Sequence, residues 1–394
     1  MTTELVRQKA EPLANSSKLG QVKGFRDFTG EEAQKREEIR KILVKTFEKF
    51  GFEPAETPII EYEDFVEGEN PNDEAISDIF KLKDKGDRKL ALRYEFTFQL
   101  KRVASNKKLP YKRYQIGPVF RDEPMSSTRF RQFTQCDVDT IGSTIKEEAE
   151  ILALTDSVLR ELSIEPIILI NNRKLLNDIL DDNNIQEKNK EQVLREIDKY
   201  DKSLEKEIQN NLKKLGAEKF LDSLKKGEKY FNQFESYKEI IGLIEYCKSY
   251  GLKINFSPTI VRGLSYYNGS VFEVKTKGIA ETLVGGGSYV INGIQSTGLS
   301  FGLERISLLS KLKEEKEKYL IVSLEQDREA IKLAQKIRKE EKNVSIYYGK
   351  PSKALEYANS CKYNKVVFVG EKEIKSKKFK VKDMKSGKET ELRV

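Results

Sequence analysis

The stretch KRYQIGPVFRDEPMSSTRFRQFTQCDVDTIG, residues 112–142, decides the fold. Its two ends alternate polar and apolar residues as half-buried strands do, and PMSSTRF between them breaks the alternation with Pro124 and serines. This pattern predicts an antiparallel hairpin joined by a polar, arginine-bearing loop. Arg121 ends the first strand, while Gln135, Asp137 and Asp139 alternate along the second and so share a face. Three polar side chains in a row mark either the solvent side or the floor of a polar pocket. The opposite face, Thr134, Cys136 and Val138, is only modestly apolar, which speaks against plain solvent exposure.

Upstream, Thr29 with Glu32 has the capping-box pattern, and Ile39, Ile42, Leu43, Phe47 and Phe50 mark one face of a helix that Gly51 ends. An extended segment follows, kept out of helix by Pro54 and Pro58. KLALRYEFTFQL (89–100) reads as a strand in which Glu95 and Thr97 share a face. Downstream, a helix is expected over 145–164. Residues 171–255 are dense in Lys and Glu and thin in strand formers, the composition of a helical insertion. Strand signals return with IVRGLSYYNGSVFE (260–273) and ETLVGGGSYV (281–290), and GLSFGLERI (298–306) leads into a helix near Leu303. Beyond the charged connector 311–319, strands and helices alternate as βαβαβ, which predicts a small domain with a parallel sheet. KFKVKD and ETELRV read as two more short strands.

The 394 residues suffice for two or three domains, and no apolar run is long enough to span a membrane. The first 20 residues lack the apolar core of a secretory signal and read as a disordered leader. Cys136, Cys247 and Cys361 fit neither a disulfide framework nor a zinc spacing, which points to a reducing cytoplasm. A net charge of +8 is compatible with a polyanionic partner without requiring one. The chain contains no histidine, so Ser-His-Asp hydrolysis, zinc–histidine hydrolysis and the histidine-bearing nucleotide motif of class I synthetases are excluded. No side chain has an unperturbed pKa near neutrality. Chemistry here must rest on charge stabilisation, metal ions or strongly shifted groups.

Arg262, Tyr266 and Tyr267 stand inside an apparent strand, either as a snorkelling arginine with two ordinary tyrosines or as a pocket wall. Adjacent strand residues face opposite ways, so one tyrosine at most should aim at a pocket near Arg262 unless a bulge re-aims them. Gly285, Gly286 and Gly287 suit a turn or a close approach. Arg305, in the first turn of its helix, places a cation where the helix dipole is already positive. Together the motifs supply separated arginines beside carboxylates, Gln, Thr and Tyr, an inventory suited to a polyphosphate and a small zwitterion.

These motifs, in this order, resemble the histidyl-tRNA synthetases, which are class IIa aminoacyl-tRNA synthetases. KGFRDF with the following helix and ETPIIE resembles the first class II motif, a dimer-forming segment. The 112–142 hairpin resembles the second, GLSFGLERI the third, and RGL-x-YY within 260–273 the histidine-specific element. The resemblance implies an α+β fold, with a class II antiparallel sheet flanked by helices. It implies a catalytic core over 21–170 and 256–312, a helical insertion over 171–255 and an anticodon-binding α/β domain over 318–394. It also implies ATP-dependent activation of L-histidine and transfer to tRNA(His) in a cytoplasmic homodimer, with Mg2+ and with neither DNA nor a membrane as partner.

By the family pattern Arg262, Arg121 and Arg305 would be catalytic and hold ATP, with no metal ligand expected from side chains. Glu95, Phe96, Thr97 and Gln135 would surround the amino group, Asp139 would pair with an imidazole N–H, and Tyr266 and Tyr267 would line the ring pocket. Arg121 and Arg262 would also reach the amino acid, and Gly285, Gly286 and Gly287 would shape the pocket backbone. Lys350, Lys353 and Lys380 would meet tRNA phosphates. Ser265, Ser288 and Val290 depart from the family's usual Asp, Arg and Asp. Two other readings share much of the pattern: a histidine-sensing regulatory subunit of ATP phosphoribosyltransferase, and a non-enzymatic RNA-binding module derived from a synthetase.

Overall fold

A computed structural model describes residues 20–68, 77–126, 129–200, 203–262, 266–312 and 317–392. The expected leader, save Gly20, and Ser265 lie outside the described residues. The chain forms two compact units, residues 1–312 and 313–394.

The first unit opens with the helix Gly30–Lys49, whose Ile39, Leu43 and Phe47 recur every fourth residue and are fully buried. Burying each contributes roughly 1.5–3 kcal/mol. Gly51, at φ +79°, turns the chain out of the helix. Thr29 caps the start only through its backbone. The expected capping box does not form, because Glu32 accepts instead from Arg26 Nη2 at 2.8 Å.

Strands then follow as β1 (Glu53–Pro54), β2 (Ile60–Tyr62), β3 (Lys81–Lys83), β4 (Lys89–Leu92), β5 (Tyr111–Phe120) and β6 (Gln132–Ile141). After the helix Ile145–Glu161 come β7 (Ile167–Asn172), β8 (Ile254–Phe256), β9 (Tyr267–Thr276), β10 (Ile279–Ile291) and β11 (Ile294–Gly302). The eight-stranded sheet runs β1-β5-β6-β11-β10-β9-β7-β8, antiparallel except for the edge pairs β1–β5 and β7–β8. The expected 112–142 hairpin is its centre, with Asp137 opposite Gln115 on β5 and opposite Ser300 on β11. A smaller sheet, β2-β4-β3, flanks it.

Helices occupy the sequence between β7 and β8, from Arg173–Asp182 to Glu235–Ser249. Their apolar faces, among them Leu176, Val193 and Phe220, join the same buried cluster as Leu152 and Phe272. Amphipathic period and burial therefore agree along this segment.

The second unit contains β12 (Lys318–Ser323), β13 (Asn343–Tyr348), β14 (Lys365–Val369), β15 (Lys380–Asp383) and β16 (Glu389–Glu391) in the order β13-β12-β14-β15-β16. β12, β13 and β14 are parallel, as the βαβαβ pattern requires, and β15 and β16 add antiparallel. The short helix Glu371–Ser376 was not anticipated from the sequence. Among the described residues, no helix is long and apolar enough to cross a membrane.

Candidate active site

A cavity of about 640 Å3 opens over the β6–β11–β10 face of the central sheet. Arg121, Arg262 and Arg305, from three distant segments, all line it, and Arg129 joins them. Arg121 leaves the end of β5, donates from Nε to the Tyr94 carbonyl at 3.2 Å and lies over the Phe133 ring. Arg305 is fixed by an Nη1 bond to the Thr282 carbonyl at 2.6 Å. Burial, then Arg129, with Arg262 and Arg121 adding and Glu281 opposing, pulls its guanidinium below the usual arginine range. Carboxylates stand among these cations, with Glu123 3.8 Å from Arg121 and 3.5 Å from Arg129, and Glu273 3.2 Å from Arg262. Arg305 still feels the repulsion of the other arginines, and a polyanion beside it relieves that repulsion.

Arg262 does not sit in a strand. β9 begins only at Tyr267, and Arg262 adopts φ +63°, a left-handed backbone unusual for a side-chain-bearing residue. An in-strand arginine would point along a pleat normal. This one instead lies across Gly285, where a Cβ would come within 2.6 Å of its Cζ, and its Nη1 meets Glu273 at 3.2 Å.

Glu95 and Thr97 also differ from expectation. The strand ends at Leu92, and 93–99 bends into the short helix Leu100–Val103. Both residues nonetheless line the cavity, and Tyr266 donates its hydroxyl to Glu95 at 3.2 Å. Phe96 between them does not. Its side chain is fully buried under Arg93, and only its carbonyl contributes, accepting from Arg113 at 3.2 Å.

Tyr266 and Tyr267 both face the cavity, their ring centroids 4.8 Å apart. The expectation of one inward tyrosine fails because Tyr266 precedes β9 and escapes its alternation. The glycine triplet is not a turn but the middle of β10. Gly285 admits Arg262, Gly286 admits the Gly298 carbonyl of β11, and Gly287 admits the Tyr267 ring. Only Gly285 and Gly286 line the cavity, so Gly287 shapes it through Tyr267.

Gln135, Asp137 and Asp139 form the floor, since both faces of β6 are buried and the polar face lies under the cavity. Gln135 donates to Ser300 Oγ at 2.8 Å. Asp139 pairs with the fully buried Arg113 at 2.8 Å and accepts from the Tyr289 hydroxyl. Gly298 leaves room for it, since a side chain there would collide with the carboxylate. Burial pushes the Asp139 carboxyl up, against Arg113 and the Tyr289 hydrogen bond. Arg113, Arg129 and Glu273 were not singled out from the sequence. Arg113 alternates with Gln115 along β5 opposite the acidic row, the one signal that reveals it.

Ser288 donates its hydroxyl to the buried Glu148, whose carboxyl is pushed up by burial against hydrogen bonds from Ser270 and Ser288. Val290 is exposed. Among the described residues, no group of three or more acidic, cysteine or histidine side chains is placed to hold a metal.

A family model described as histidyl-tRNA synthetase matches residues 24–306, and one described as an anticodon binding domain matches 316–394. The chain belongs to the histidyl-tRNA synthetase family. It is similar to histidine–tRNA ligase 2 of Shouchella clausii, 32% identical, with 93% of this chain and 96% of that protein covered. The fold is that of a histidyl-tRNA synthetase from Nostoc (TM-score 0.82, 24% identity, 95% of this chain and 96% of that one). A Bacillus halodurans protein described as an ATP phosphoribosyltransferase regulatory subunit/histidyl-tRNA synthetase shares it (TM-score 0.76, 22% identity, 90% and 99% covered). As a member of this family the chain is an aminoacyl-tRNA ligase.

Proposed function

We propose that the protein activates L-histidine with ATP and transfers it to the 3′ end of tRNA(His). The observation that carries this reading is the convergence of Arg121, Arg262 and Arg305 in one cavity with Glu95, Gln135, Asp139, Tyr266 and Tyr267. The arginines suit a triphosphate, and the acidic and phenolic groups suit an amino acid with a nitrogenous ring.

The chemistry needs no histidine in the enzyme. A carboxylate is ionised at neutral pH, so the substrate's own oxygen attacks the α-phosphorus without a base. The bond to the bridging oxygen breaks and pyrophosphate leaves. The barrier is the approach of anion to anion, which Arg262 and Arg121 lower by stabilising the crowded charge, with Arg305 on the leaving phosphates. Mg2+ usually binds through one or two carboxylates plus phosphate oxygens and water, which fits a cavity with acidic side chains but, among the described residues, no built cage. Glu123 and Glu281, beside the arginines, are the side chains that would hold it, and it would neutralise phosphate charge. In the second step the tRNA hydroxyl attacks the acyl carbon, AMP departs, and a phosphate oxygen takes the proton.

Glu95, Thr97 and Gln135 would hold the ammonium group and Asp139 a ring N–H. A site whose buried polar groups match a ring can reject apolar competitors by about 10⁴–10⁵. The second unit would bind tRNA, with Lys350, Lys353 and Lys380 at its surface; Lys353 and Lys380 pair there with Glu356 and Glu389. Exposed Ile59, Ile60, Tyr62 and Leu82 near the small sheet support a homodimer. The three unpaired cysteines support a reducing, cytoplasmic setting.

The test is histidine-dependent ATP–pyrophosphate exchange, which should be robust with histidine and negligible with leucine. Histidine binding without exchange would instead favour the sensing role.

A further inference from the structure

Asp137 stands between Gln135 and Asp139 on the cavity floor, about 7 Å along the strand from each. The two aspartates differ in their surroundings. Asp139 has Arg113 as counter-charge and Tyr289 as donor. Asp137 is only 5% exposed, and its Oδ1 has no hydrogen-bond partner among the described residues.

The groups packed around Asp137 do not remedy this. Across β5, Gln115 spends its amide on Thr57 Oγ1 at 2.8 Å. Across β11, Ser300 hydrogen-bonds to Asp137 but brings no charge. Arg113 pairs through Nη2 with Asp139 and the Phe96 carbonyl. Its buried Nε and Nη1 have no hydrogen-bond partner among the described residues, so neither reaches Asp137. Arg93 is bound to the carbonyls of Thr57 and Pro118. Arg121, more distant, is tied to the Tyr94 carbonyl. Burial, with Asp139 adding and Arg113, Ser300 and Arg121 opposing, pushes the Asp137 carboxyl up to about 7. The floor therefore holds one more acid than it has contacting cations.

We infer that Asp137 is a second carboxylate for the substrate's imidazole ring, and that histidine is held with that ring doubly protonated. This rests on the histidine reading of the same cavity. There the ammonium group is already met by Glu95, which arrives from a separate segment. The ring remains as the cation available to the floor. A neutral imidazole has one N–H to give, and two carboxylates ask for two. Its conjugate acid supplies both and balances the extra charge. Asp137 ionises as the ring takes the proton, so one proton is relocated and none is consumed. Rotation about the Asp137 Cβ–Cγ bond exchanges its oxygens and can turn the unpartnered one to the ring.

The experiment compares histidine with 1,2,4-triazol-3-ylalanine, whose ring stays neutral at neutral pH. KM in ATP–pyrophosphate exchange and Kd by calorimetry are measured for wild type and Asp137→Asn. The expected result is that the preference for histidine over the triazole falls tenfold or more in the variant, while the KM for ATP stays within twofold. An unchanged preference overturns the inference, as does an equal loss for both amino acids and ATP. Should Asp137→Asn fold poorly by circular dichroism, Asp137→Ser is read by the same ratio. Wild type that binds histidine but shows no exchange would sink the enzymatic reading alone, and the calorimetric ratio would still decide the role of Asp137. Wild type that binds neither amino acid overturns both.

Discussion

Asp139 serves two masters, since the same carboxylate that faces the cavity neutralises Arg113, whose side chain is fully buried. Removing one partner of such a pair leaves a buried charge and costs about 3–5 kcal/mol. Asp139→Ala should therefore raise the KM for histidine tenfold or more, leave the KM for ATP nearly unchanged, and lower stability to urea by that amount. Equal losses for both substrates would count against its place at the ring. Asp137 predicts a pH effect of its own. Its carboxyl stands near 7 when folded against an ordinary 3.8, so the unfolded chain ionises first as pH rises. The group's favourable contribution is complete below about pH 4 and is lost progressively as pH rises to about 7, on the order of 4 kcal/mol. Asp137→Asn should abolish that loss, becoming more stable relative to wild type at pH 8 than at pH 5 in urea titrations.

Among the elements, β10 shows how close packing is written in glycine. A Cβ on Gly286 would strike the Gly298 carbonyl, and that obstacle is backbone, unable to swing aside. Gly286→Ala should part β10 from β11 and destabilise by more than about 3 kcal/mol, against about 1 kcal/mol for Gly293→Ala, where positive φ is the only penalty. Comparable urea midpoints for the two would refute the close-packing account. The helix Gly30–Lys49 is tied to the site by a different device. Arg36 bridges Glu304 at 2.9 Å and Thr134 at 3.0 Å, joining that helix, β6 and the helix that carries Arg305. Element boundaries were legible where periodicity was long, as in that first helix. They were misread at Glu95 and Arg262, where the chain leaves the strand geometry to place a side chain.

For the whole molecule, the two compact units carry separate apolar clusters, one reaching Leu312 and its neighbours, the other built on β12 and β14. A protein ending at residue 312 should keep histidine-dependent pyrophosphate exchange and charge tRNA with a KM raised at least tenfold. The intact protein's affinity for tRNA should fall steeply with salt, since phosphate contacts release counterions. Loss of exchange on truncation would show that the second unit is needed for activation. Sequence alone determined the central hairpin, the order of the longer strands and helices, the family, the absence of histidine side chains and the three arginines that meet in the cavity. Each of these is carried by local periodicity or by motif order. Tertiary structure decided which groups are spoken for: Asp139 by Arg113, Arg262 by Gly285 and Glu273, and Asp137 by no cation in contact. Pairing and burial arise between residues far apart in the chain, and a linear pattern does not encode them.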